Sequence, residues 1–115
     1  MKRALNVYEA AVIREVAERL SQNDGAQLLK DLAHAFVEEE SSDGSRVIFG
    51  IDGYVRPPYR GQHSYGVDGS LQDKDGASIT VILCADENGR LFELELIRWG
   101  HRDLIAPDWQ SLSFC

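Results

Sequence analysis

The sequence predicts an α+β domain, with two N-terminal helices packed on one face of an antiparallel sheet of about four to five strands. Three observations carry this. Apolar residues recur at helical spacing up to about residue 34. Beyond that point the pattern turns to short β-prone runs separated by Gly, Asp and Asn clusters. Helices at one end followed by neighbouring strands are the arrangement of an α+β fold. With 115 residues, 43% of them hydrophobic and 27% charged, residues 1–115 make one globular domain.

The first helix spans residues 7–20, where Val12, Ile13, Val16, Ala17 and Leu20 share a face and Glu9, Arg14, Glu15, Glu18 and Arg19 take the other positions. Asn6 is placed to cap it, and Glu9 three residues on completes a capping-box pattern. The run from Ser21 to Gly25 reads as a break, and a second helix runs from Gly25 or Ala26 to His34, with Asp24 as cap and Leu28, Leu29 and Leu32 as its apolar face. Residues 35–40 and 46–51 read as a hairpin about Ser41-Ser42-Asp43-Gly44. Residues 53–66 resist assignment because Pro57-Pro58 and three glycines interrupt them. Residues 67–71 add a further strand. The runs 78–85 and 91–99 form a hairpin about Asp86-Glu87-Asn88-Gly89, with Phe92, Leu94 and Leu96 on one face and Glu93 and Glu95 on the other, solvent-open face. The tail with Pro107 and Trp109 reads as irregular chain or a short turn.

Nineteen acids against twelve bases give a net charge of −7. This disfavours nucleic acid and anionic membrane surfaces, and suits a basic partner. The surplus is local. Residues 1–37 balance five bases against five acids, so the whole excess lies in the β-rich part. Two cysteines, Cys84 and Cys115, make no disulfide framework, no apolar run resembles a signal peptide or a membrane span, and the expected location is cytoplasmic.

Chemistry-bearing patterns are few. Asp73-Lys74-Asp75-Gly76 starts like a calcium loop, but Ala77 stands where the next acid is required. No metal site, cofactor or catalytic residue is assigned. His63 and His101 are the pair available for acid–base work. Tyr54, Arg56, Tyr59, Arg60, His63 and Tyr65 interleave bases and aromatics with no acid between them. Such a loop pairs its arginines with local carboxylates, contacts a protein, or stacks on a nucleotide. The candidate partner-binding residues are the acids Glu38, Glu39, Glu40, Asp43, Asp73, Asp75, Glu93 and Glu95, with Tyr54, Arg56, Tyr59 and Arg60 from the loop.

Residues 75–99, with Asp75-Gly76, the β run and then Asp86-Glu87-Asn88-Gly89-Arg90-Leu91-Phe92-Glu93-Leu94-Glu95-Leu96-Ile97-Arg98-Trp99, resemble a family of small bacterial domains of unknown function with a "D-x-x-G-x-L-F-E-L-D" core. That family also has an N-terminal helix like the one over residues 5–20. Glu95 stands where that family more often has Asp. The resemblance implies a fold and no reaction. Size, acidity and element order also resemble, as a class, the immunity proteins that bacteria encode beside toxic nucleases. The leading expectation is therefore a non-enzymatic bacterial binding protein, an immunity protein that neutralises a basic toxin. The alternatives are a small enzyme or nucleotide- or ligand-binding domain using the 54–65 loop with His63 and His101, and a regulatory or scaffold domain.

Overall fold

In the computed structural model, residues 2–58, 61–100 and 102–114 are described. Tyr59, Arg60, His101 and Cys115 lie outside them. Helix α1 (Val7–Glu18) starts as the sequence dictates. Asn6 Oδ1 accepts from the Glu9 amide at 2.8 Å, and the Glu9 carboxylate accepts from the Asn6 amide at 2.9 Å. Helix α2 (Gln22–Ala33) starts earlier than expected, because Ser21 and not Asp24 supplies the cap, its Oγ accepting from the Asp24 amide. Gly25 is not a break but a buried position inside α2. A Cβ there would lie 2.5 Å from the Ala17 carbonyl oxygen, so the missing side chain lets the two helices cross closely. His34 takes the C-cap.

Six strands follow among the described residues, not four to five: β1 (Ala35–Glu40), β2 (Arg46–Ile51), β3 (Gln62–Gln72), β4 (Ser78–Asp86), β5 (Leu91–Arg98) and β6 (Asp108–Phe114). They pair antiparallel in the order β1-β2-β5-β4-β3-β6. The first hairpin has the expected bounds. Strand β3 starts five residues earlier than expected because a register shift between Ser64 and Asp68, with Gly66 at φ 81°, hides its alternation. The tail forms β6 and not irregular chain. Phe114 lies against the bare backbone of Gly69 on β3, where a Cβ would meet its ring at 2.8 Å.

The hairpin of β4 and β5 turns at Asp86–Gly89, with Gly89 at φ 75°. A register shift between Cys84 and Ala85 sets Cys84 against Glu93 and Ala85 against Leu91. It moves Leu91 into the core beside Leu94 and Leu96 and leaves Phe92 out, which corrects the expected placement of Phe92. One cluster of buried residues joins Val12, Ile13, Val16 and Leu28 from the helices to Val47, Phe49, Val81, Leu83 and Leu94 from the strands. No helix among the described residues is long and apolar enough to cross a membrane.

Candidate functional site

Cross-strand partners share a sheet face. Since Val47, Phe49, Val81, Leu83, Leu94 and Leu96 belong to the core, their neighbours along each strand point the other way. The register aligns those neighbours in rows. Glu39, Ile48, Glu93, Cys84 and Ser64 form one. Arg46, Glu95, Ile82 and Asp68 form the next. Ile97, Thr80 and Ser70 form a third. Trp99 follows β5 and donates from Nε1 to Thr80 Oγ1 at 3.2 Å while staying 65% exposed. This second face thus sets half-buried isoleucines and an exposed indole among acids.

Glu93 departs from its expected solvated position. It shares its face with Glu95, as alternation requires, but is only 2% exposed. Its carboxylate accepts from Arg46 Nε on one oxygen and from Gln62 Nε2 at 3.0 Å on the other. Glu93 and then Glu95 and Glu39 raise the Arg46 guanidinium's pKa, so that it stays charged. Beneath them burial, reinforced by Glu93, Glu95 and Asp68, pushes the Cys84 thiol up to about 11. Cys84 is therefore a buried neutral thiol.

The aromatic–basic loop turns inward. Arg56 donates to Asp86 at 2.7 Å and to the carbonyls of Phe49 and Leu91 at 2.8 and 2.9 Å. Its guanidinium lies over Phe92 at 4.6 Å. The Tyr54 hydroxyl donates to the same Asp86 oxygen at 2.7 Å, and Arg90 stacks over its ring at 4.3 Å. Burial alone raises the Asp86 pKa; Tyr54, the amides of Arg90 and Asn88, and Arg56 outweigh it and hold it low. Of the three readings of this loop, local pairing is the arrangement seen for Tyr54 and Arg56. Tyr65 packs against the core and His63 is exposed on β3. A small cleft of about 100 Å³ remains between Arg56, Pro57, Pro58 and Phe92.

The other acids divide. Asp73 is buried and accepts from Arg98 at 2.6 Å and from the amides of Ile105 and Ala106 at 2.9 and 2.8 Å. Asp75 accepts from Nη1 and Nη2 of the same guanidinium at 2.8 and 2.6 Å. Asp43 caps its own turn and accepts from the Leu104 amide, and Glu40 shares Arg3 with the buried Glu9. Glu38, Glu39, Glu95 and Asp68 enter no ion pair among the described residues. Sequence reasoning missed Asp31, which anchors Arg90, Gln27 and the Leu91 amide. A carboxylate three residues from Leu28 on an apolar helix face was the available signal. It also missed the isoleucine rows, because they exist only once β2, β5 and β4 pair side by side, which local alternation does not report. Among the described residues no three His, Cys, Asp or Glu side chains assemble as a metal set.

The model of a family described as a domain of unknown function, DUF6984, matches residues 2–107. The chain belongs to that family. The DUF6984 match takes in both helices, β1 to β5 and the stretch held by Asp73, and ends one residue before β6. No curated protein and no solved structure matches the chain significantly.

Proposed function

We propose that this DUF6984 domain is a non-enzymatic binding protein for a basic protein partner, held on the sheet face opposite the helices. In its narrowest form it is an immunity protein that neutralises a cognate toxin by direct contact. One observation carries the reading: among the described residues, folding pairs six arginines, Arg3, Arg19, Arg46, Arg56, Arg90 and Arg98, with carboxylates of the same chain and leaves unpaired acids on the outward sheet face. Glu39, Glu95 and Asp68 remain around Ile48, Ile82 and Ile97.

Isoleucines interleaved with unpaired acids offer a partner apolar contact and charge on one face. A uniform sign of charge steers a complementary surface and raises its association rate. Arg56 and Tyr54, the residues a ligand site in the 54–65 loop would use, are engaged by Asp86, which favours the protein-binding reading.

The test is co-purification with a basic protein encoded beside this one, followed by stopped-flow association at several ionic strengths. A complex whose association slows with salt, and which Glu39→Lys with Glu95→Lys abolishes, supports the proposal. Absence of a complex at low salt, or binding indifferent to both reversals, removes it. Protection of growth against that protein decides the immunity form.

A further inference from the structure

We propose that the Glu93 carboxylate is a receptor for one arginine side chain of the basic partner, and that Arg46 occupies it in cis until the partner's guanidinium takes its place. The inference rests on the basic-partner reading and adds the contact by which the partner is recognised.

Five pairs join an arginine to a buried acid, and Arg46 is the exception among them. Its side chain is 57% exposed, against 28% or less for Arg3, Arg56, Arg90 and Arg98. Arg56 also binds two carbonyls, and Arg98 a second carboxylate. Arg46 donates from Nε to Glu93 alone, and no other side-chain hydrogen bond holds it among the described residues.

Removing the cation and leaving nothing would strand a buried carboxylate, which is costly. Replacing one guanidinium by another does not, so exchange avoids that cost. Gln62 fixes the second Glu93 oxygen throughout, and Glu39 and Glu95 flank the entrance. Ile48 lies beside the slot and offers an incoming stem apolar surface. A planar guanidinium fits this carboxylate in ways an ammonium does not, so arginine is selected over lysine.

The experiment uses the whole chain and free argininamide as the probe. Arg46→Ala lowers the thermal midpoint. Argininamide at tenfold over its dissociation constant then raises the midpoint of that variant by about 5 °C. Lysinamide does not, and Arg46→Ala with Glu93→Gln does not respond. Equal responses of wild type and Arg46→Ala, or no response of either, overturn the exchange.

Should Arg46→Ala fail to fold, titration of the wild-type domain with hexa-arginine decides by NMR. Movement of the Gln62 side-chain amide signals supports the proposal, and shifts that leave Gln62 untouched overturn it. Hexa-arginine bound on this face without argininamide rescue ends the exchange mechanism and spares the basic-partner reading. Binding of neither probe ends both.

Discussion

Arg98 and Arg46 stand on neighbouring strands, and each holds a buried carboxylate, yet the two corners are built for different ends. The Arg98 side chain is 6% exposed, and its two terminal nitrogens are shared between Asp73 and Asp75. Asp73 in turn binds the amides of Ile105 and Ala106, so this pair closes the chain before β6 onto the turn between β3 and β4. The Arg46 guanidinium covers Glu93 from the solvent side and secures nothing else. Equal chemistry thus gives a clamp in one place and a replaceable cover in the other. The difference lies in how many backbone groups the carboxylate serves.

Removing Asp73 breaks this comparison hardest. Asp73→Ala leaves a buried guanidinium half-paired and takes the acceptor from three amides, those of Lys74, Ile105 and Ala106, and is expected to cost about 3–5 kcal/mol in denaturant unfolding. A loss under about 1 kcal/mol would mean that the stretch from residue 102 to 107 is not clamped at all.

Acid sharpens the same contrast. Burial alone raises the Asp73 pKa, but the Ile105 and Ala106 amides and Arg98 outweigh it and hold it at about 2. Asp43 is held at about 2 as well, first by the Ser45 hydroxyl. Both lie below an unfolded value of about 3.9, so their stabilisation is whole above about pH 4 and is lost as pH falls toward 2. Asp73→Asn is expected to lower stability at neutral pH and to flatten the unfolding profile between pH 4 and pH 2. A profile as steep as wild type would assign the acid response elsewhere.

Glu93→Gln is the matching change at the other corner. The amide keeps the volume and a partner for Gln62, while Arg46 is free to rehydrate. The expected loss is about 1 kcal/mol by denaturant midpoint. A loss as large as that from Asp73→Ala would make Glu93 a second clamp and erase the distinction.

The two corners also differ in how far the sequence announces them. The cap at Asn6 and Glu9, the first hairpin and the Asn88-Gly89 turn are local, and local chemistry places them correctly. Gly25 reads as a break because nothing in its neighbours reports the Ala17 carbonyl that approaches it. β6 reads as irregular chain because its partner, β3, lies far away in sequence and carries its own bulge. The acids posed the same problem. Asp73, Asp75 and Glu93 look like solvated surface charges, since Arg98 and Arg46 come from distant positions. Glu39 and Glu95 were legible as acids, but the apolar rows around them exist only once β2, β5 and β4 pair side by side.

The smallest expected effect on stability bears most directly on the exposed face. Glu95→Gln and Glu18→Gln each remove one negative charge, the first beside Ile82 on the outward sheet face, the second from the exposed side of α1. Each is expected to change stability by no more than about 0.5 kcal/mol. If only the net charge of −7 attracts a basic partner, both slow its association equally. If the partner lands on the sheet face, Glu95→Gln slows association by about fivefold at low salt, Glu18→Gln changes it far less, and the gap closes as salt is added. Stopped-flow rates for the two variants at two ionic strengths separate these outcomes, because the variants share a net charge and differ in where it was taken from.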